Sequence, residues 1–151
     1  MSDTVEIVRV ELGERSYDIE IGEGNLNRLG PFVAGRGDVS HAVVITDENV
    51  EKPHGLHAAE GLARNSTMVD LVVIEPGEQS KCVATAAELW EKLLDLGADR
   101  KTVVVAVGGG VIGDLAGFVA ATYARGIPFF QVPTSLLAQV DSSVGGKVGI
   151  N

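Results

Sequence analysis

A single cysteine, Cys82, stands among the 151 residues, so no internal disulfide braces the fold and a reducing, cytoplasmic setting is expected. Basic residues are few: 12 Lys and Arg against 21 Asp and Glu leave a net charge of −9. With no basic stripe to displace counterions, nucleic acid and anionic membrane surfaces are excluded as partners. An anionic small ligand is not excluded, because only the field around it matters. Long apolar runs are missing too. The best candidates are broken at Gly108 to Gly110 and at Pro128, so no membrane-spanning segment is expected. The start, Met1-Ser-Asp-Thr-Val-Glu6, lacks the basic and apolar regions of a secretory signal. Of three histidines, His54 and His57 are three apart beside Pro53, and His41 opens a strand-like run. No third ligand shares their spacing, so no histidine metal site is expected, and no histidine falls near the polar turns that end the strands, so no Ser-His-Asp set is expected either.

What is present is 45% hydrophobic residues and 19 glycines, which fit one compact α/β domain spanning 1–151. Val5, Ile7, Val10 and Leu12, then Tyr17, Ile19 and Ile21, alternate on either side of Gly13-Glu14-Arg15 and predict a hairpin. A short helix is expected over 25–33. Continuous apolar strands follow over 41–46, 68–74, 102–107 and 127–132. Helical patterns separate them: a weak one over 55–64, and a strong one over 83–96. The strong one carries Val83, Ala86, Ala87, Trp90, Leu93 and Leu94 on one face, with Ser80 as N-cap and Gly97 as stop. A third has Leu115, Phe118, Val119 and Tyr123 on one face. Strands apolar throughout and alternating with helices predict a Rossmann-like, doubly wound, mostly parallel sheet with an N-terminal hairpin.

In such a sheet ligands gather at the carboxyl ends of the strands. Here those ends are Asp47, Glu75-Pro-Gly-Glu78, Gly108-Gly-Gly110 and Pro133-Thr-Ser135. Gly108-Gly-Gly-Val-Ile-Gly113 satisfies G-x-G-x-x-G between a strand and a helix, where bare backbone and a helix N-terminus suit a pyrophosphate. It lies late in the chain, and Pro133-Thr134 stands where a ribose-binding acid is usual, so a mere tight turn also explains it. Asp114 falls in the expected first helical turn, where it favours the helix dipole. Pro76-Gly77-Glu78-Gln79-Ser80-Lys81 makes a second turn in which Glu78 could bind ribose hydroxyls and Lys81 a phosphate; a solvated loop with a capping serine reads equally well. Thr134-Ser135 reads as an N-cap or a hydroxyl site. Asp141 and Lys147, flanking Ser142-Ser-Val-Gly-Gly146, read as site residues or as an exposed salt bridge. The cations Lys81, Arg125 and Lys147 all adjoin these turns in sequence.

Taken in order, Pro76-Gly-Glu-Gln-Ser-Lys81, Gly108-Gly-Gly-Val-Ile-Gly-Asp-Leu-Ala-Gly-Phe118, Tyr123-Ala-Arg-Gly126, Gln131-Val-Pro-Thr-Ser-Leu-Leu-Ala138 and Val140-Asp-Ser-Ser-Val-Gly-Gly-Lys147 resemble the 3-dehydroquinate synthases of the sugar-phosphate cyclase superfamily. The likeness runs from about Thr46 and is tightest from Gly108 to Asn151. It implies NAD as cofactor, its pyrophosphate over Gly109, Gly110, Val111, Ile112 and Gly113. Asp47, Gly77, Glu78, Gln79 and Lys81 would hold the adenosine half, with Asp114, Thr134, Ser135 and Lys147 nearer the nicotinamide. Asp141 and Lys147 would contact a phosphorylated keto acid, and Arg125 would reach its phosphate, in the partner subunit of a homodimer. Many members carry Thr-Thr where this chain has Thr134-Ser135; the hydroxyl is kept. The family's helical C-terminal domain, with ligands for a divalent metal (zinc or cobalt), has no counterpart in these residues. The chain stops inside a motif, so the front part of a longer enzyme is expected. Another sugar-phosphate cyclase, a metal-dependent polyol dehydrogenase and a non-catalytic NAD-binding module are the competing readings.

Overall fold

The sequence first forms a hairpin. Strands β1 (Glu6–Val10) and β2 (Tyr17–Ile21) pair antiparallel around a 3-10 turn at Gly13–Arg15, with Val10 opposite Tyr17. Gly13 takes φ +64, the left-handed conformation such a tight turn requires and glycine adopts freely. The computed structural model describes residues 4–65 and 67–151; the first three residues, read above as part of a polar start, fall outside it.

The rest is a four-stranded parallel sheet in the order β4-β3-β5-β6. Its strands are β3 (His41–Asp47), β4 (Met68–Ile74), β5 (Thr102–Gly108) and β6 (Phe129–Pro133). Four helices cover it: α1 (Leu29–Ala34, entered through a 3-10 turn at Asn25–Arg28), α2 (Leu56–Ala63), α3 (Val83–Asp95) and α4 (Gly110–Thr122). The central strands β3 and β5 are buried on both faces, which is why they read as unbroken apolar runs. Their alternate residues feed two cores. Val43, Ile45, Val104 and Ala106 pack with α3 and α4, while Ala42, Val44, Val103, Val105 and Val107 pack with α1 and α2. Each fully buried Val, Ile or Leu contributes about 1.5–3 kcal/mol. Among the described residues no helix is long and apolar enough to cross a membrane.

Several local expectations change. In α3 the buried residues are Ala86, Leu89 and Leu93, whereas Val83 and Leu94 are 61% and 66% exposed. The helix turns its Ala86–Leu93 stripe inward with Trp90 packed partly buried beside it, so of the six-residue face expected from the sequence Val83 and Leu94 fall outside and Leu89 joins it. Ser80 does not cap α3: its Oγ donates to the Glu75 carbonyl at 2.6 Å, and Cys82 occupies the cap position. There the Thr85 hydroxyl, with the amides of Thr85 and Ala84, holds the Cys82 thiol below its ordinary pKa. The stop at Gly97 is as expected, with φ +71 and the paired bonds Ala98 N to Leu93 O and Gly97 N to Leu94 O of a Schellman cap.

The chain runs from β3 outward to β4, then crosses back to the other side of β3 for β5 and on to β6. The helices therefore divide between the two faces, and a crevice opens at the carboxyl ends of β3 and β5 where the winding reverses.

Candidate active site

At that crevice β3 ends in Asp47 and β5 ends in Gly108. Helix α4 begins at once. Its first internal bond runs from Gly113 N to Gly109 O at 3.1 Å, so the amides of Gly110, Val111 and Ile112 precede the helical ladder. They point their donors and the positive end of the helix dipole toward the rim.

The glycines have separable reasons. A Cβ on Gly108 would lie 2.6 Å from Ile112 Cγ1, inside the core. On Gly109 and Gly110 it would lie 3.4 and 3.3 Å from the hydroxyls of Ser135 and Ser142. Gly108 is thus glycine for packing, while Gly109 and Gly110 leave bare backbone beneath a ring of hydroxyls. This cradle fits a pyrophosphate: free amides, glycine backbone without side chains of its own, and the Ser135 and Ser142 hydroxyls at its edge.

The rim segments are tied to one another. Thr134 N donates to Gly108 O at 2.9 Å and Glu48 N to Ile74 O at 3.2 Å. Ser135 Oγ accepts from Ala138 N at 3.2 Å, which makes it the cap of the next turn as well as the neighbour of Gly109. One oxygen of Asp47 accepts from Asn49 N and Val50 N at 2.9 and 3.1 Å, so its carboxylate is held in place. Gly77 has φ +113, and Gln79 folds back to donate to Pro76 O at 2.9 Å.

Lys81 does not stand free to meet a phosphate, as the sequence suggested it could. Its ammonium lies 2.9 Å from Glu78 and 3.2 Å from Asp114. Hydrogen bonds from Lys81 and then Asn151 hold the Glu78 carboxyl below its ordinary pKa, and Glu78 with Asp114 raises that of Lys81. Asp114 lies beyond the first turn of α4, so its role there is the Lys81 contact and not the helix dipole. The last residues close over this network. Gly149 N donates to Asp114 O at 3.3 Å, Asn151 N to Lys81 O at 3.0 Å, and Asn151 Nδ2 to Glu78 at 3.0 Å.

Asp141 and Lys147 are exposed, and among the described residues they form no ion pair with each other. Their loop packs by Ser142 against Gly110 and receives a bond from Gln131 Nε2 to Ser143 O at 3.3 Å. Arg125 lies elsewhere. It follows α4, whose 13 residues carry the chain about 20 Å along the helix from the glycine turn toward the opposite edge of the sheet. There Ala124 and Arg125 adopt φ of +48 and +67, and Arg125 is exposed. Within one chain it does not join the other site residues.

Three contacts at the rim were not anticipated from the sequence: Asn151 on Glu78, Gln131 on Ser143, and the Tyr17 hydroxyl accepting from Gly145 N at 3.1 Å. All are long-range polar contacts with no local pattern to announce them. Among the described residues no group of three His, Cys, Asp or Glu is placed to hold a metal ion: His41 pairs with Asp70 at 2.8 Å and His57 with Asn27 at 2.7 Å. Neither of two cavities, of about 240 and 450 Å³, is lined by the glycine turn: one lies against Lys101, Val103 and Phe130 and one beside the hairpin at Arg9, Tyr17 and Asp18. The rim is flanked instead by exposed apolar residues, Leu136, Leu137 and Val140.

The family model described as 3-dehydroquinate synthase N-terminal matches residues 71–151. A 3-dehydroquinate synthase of Pelotomaculum thermopropionicum is 50% identical over 147 residues, covering 97% of this chain and 40% of the relative. A solved 2-deoxy-scyllo-inosose synthase, complexed with carbaglucose-6-phosphate, NAD+ and Co2+, superposes with a TM-score of 0.89 at 31% identity over 97% of this chain and 40% of its own. The 2-epi-5-epi-valiolone synthase of Streptomyces hygroscopicus, with NAD+ and Zn2+ bound, does so with 0.77 at 30% identity, covering 94% and 39%. The chain thus spans about 40% of the length of the curated relatives it matches. With the Pro76–Lys81 turn, the glycine turn, Thr134-Ser135 and the Lys147 loop gathered at one rim, the Arg125 turn apart from them, and the family model spanning residues 71–151, the chain belongs to the 3-dehydroquinate synthase family.

Proposed function

We propose that residues 1–151 form the NAD-binding front domain of a 3-dehydroquinate synthase, which converts 3-deoxy-D-arabino-heptulosonate 7-phosphate to 3-dehydroquinate and phosphate in the cytoplasm. The observation that carries the reading is the cradle at Gly109 and Gly110, where free helix amides lie bare beneath the hydroxyls of Ser135 and Ser142 at a topological switch point. The 50% identity to 3-dehydroquinate synthases, against 30–31% to the two cyclases of other products, favours this substrate over theirs.

In this reading the amides of Gly110 to Ile112 hold the pyrophosphate, and Gly113, where a Cβ would lie 3.0 Å from Gln131 Oε1, leaves room for that side chain beside the cradle. Asp47, Gly77, Glu78 and Gln79 meet the adenosine half. Lys81 acts by fixing Glu78 and Asp114 and not as a direct phosphate ligand, because both neighbours already share its charge. Thr134 and Ser135 present hydroxyls toward the nicotinamide. Bound NAD supplies a reversible oxidation of one substrate hydroxyl, and a divalent metal held outside this chain supplies its polarisation. Lys147, exposed and unpaired among the described residues, supplies positive charge where the substrate's phosphate and developing enolate need it. Asp141, on the same loop, orients the substrate. Arg125, at the other end of the domain, reaches the phosphate only from a second subunit, which makes the working enzyme a homodimer.

Titration of the 151-residue chain with NAD tests the cofactor reading. Weak, saturable binding above micromolar is expected, since a cofactor with one wall of its cleft lacks contacts; no turnover is expected from this chain by itself. Absence of binding at millimolar NAD would reject the reading, and dehydroquinate formation by the chain alone would reject the division of labour.

A further inference from the structure

The loop that carries Lys147 is built to be loose. Gly145 and Gly146 precede the lysine, nothing lies within 4 Å of where a Cβ on either would stand, and residues 144–147 are all exposed. The chain is pinned on both sides. Before the loop, Ser143 and Val144 donate to Ala138 and Asp141 at 3.0 Å. After it, Val148 packs on Gly117, Gly149 bonds Asp114, and Ile150 packs against the core. Between these anchors, among the described residues, one hydrogen bond reaches 145–147: Gly145 N to the Tyr17 hydroxyl, at 3.1 Å and 128 positions distant.

Tyr17 is a firm support. It opens β2 opposite Val10, and the next residue, Asp18, is held by Arg36 and Arg9 at 2.9 Å each. Arg36 in turn lies 3.5 Å over the Phe32 ring and donates to the Phe32 carbonyl at the end of α1. The hairpin is thus fixed to the body of the domain. Its β1 face has little to bury, with Ile7 58% exposed and Val8 39%, so core packing does not account for where it sits.

We propose that Tyr17 is a positioning residue for the substrate, acting through Gly145 on Lys147, and that the hairpin is the strut which holds the substrate loop. Gly145 has φ +95, a conformation two glycines can leave easily; the phenol selects it and sets the direction in which the lysine leaves the rim. The inference rests on the reading of Lys147 as a substrate contact.

The test is Tyr17→Phe, which removes one oxygen and keeps the ring. In the 151-residue chain, exchange of the Gly145 amide is expected to quicken by about three- to tenfold, the span of one net hydrogen bond, while Val44 and Val105 stay protected. In the complete enzyme, kcat/KM for the phosphorylated keto acid falls by a similar factor and the KM for NAD stays within about twofold. Unchanged Gly145 exchange would overturn the contact. Faster exchange with unaltered kinetics would overturn the positioning role, as would an equal loss toward NAD and substrate. Lys147→Ala run alongside separates the two failures: if it is impaired and Tyr17→Phe is normal, the strut is wrong and the site stands, whereas a normal Lys147→Ala removes the reading beneath both.

Discussion

Lys81 and Asp114 lie 33 positions apart in sequence and 3.2 Å apart at the rim, so one ammonium joins the loop after β4 to α4. With Glu78 at 2.9 Å on its other side, Lys81 acts as a fastener between two segments that would each contact a cofactor. This makes the rim's stability depend on pH in a defined sense. The lowered Glu78 pKa contributes stability above the ordinary glutamate value, about 4.3, and loses it as pH falls through the lowered one. The raised Lys81 pKa contributes stability below about 10.4 and loses it only as pH rises past the raised value. The Glu78–Lys81 pair therefore keeps both charges from about pH 5 to about pH 10. The melting-temperature gap between the parent chain and Lys81→Met is therefore expected to narrow as pH drops from about 6 to about 3. A gap independent of pH would show that the ammonium does not hold the carboxylate.

Two neighbouring glycines should respond oppositely to alanine. In Gly108→Ala the new methyl meets Ile112 at 2.6 Å in the core, and overpacking should cost about 1–3 kcal/mol in chemical denaturation. In Gly110→Ala it meets only the Ser142 hydroxyl at 3.3 Å, and the gain in helix propensity, up to about 1 kcal/mol, should hold or raise stability. NAD binding should nonetheless weaken in Gly110→Ala, because the methyl covers the free amides. Unaltered NAD affinity there would mean the cradle is only a turn.

Lys147→Ala should leave the melting temperature unchanged, since the side chain is exposed and unpaired among the described residues. Turnover of the complete enzyme should fall well over tenfold, on the order of what one charged transition-state contact supplies. A near-normal rate would take Lys147 out of the site.

The inward stripe of α3 can be checked with adjacent leucines. Leu93→Ala, at 1% exposure, should cost about 2–5 kcal/mol. Leu94→Ala, at 66% exposure, should stay within about 0.5 kcal/mol. Equal effects would return α3 to the face read from the sequence.

By itself the sequence determined the parallel sheet, the hairpin and the rim. An unbroken, β-branched run such as Ala42 to Ile45, too short for a helix and followed by polar punctuation, fits a strand covered on both faces, and the punctuation after each strand marks its carboxyl end. It also carried the family, through motifs whose order and spacing survive without coordinates. These are local regularities, and local chemistry writes them. The tertiary structure alone decided which way α3 turns, that Lys81 is spent on Glu78 and Asp114, that Arg125 leaves the rim, and that Tyr17 holds the loop of Lys147. The facing of α3 and the Lys81–Asp114 contact depend on the strand order β4-β3-β5-β6, and the Tyr17 contact on how the hairpin docks. The Lys81–Asp114 and Tyr17–Gly145 contacts join residues 33 and 128 positions apart, where hydrophobic period and turn chemistry carry no record of the partner.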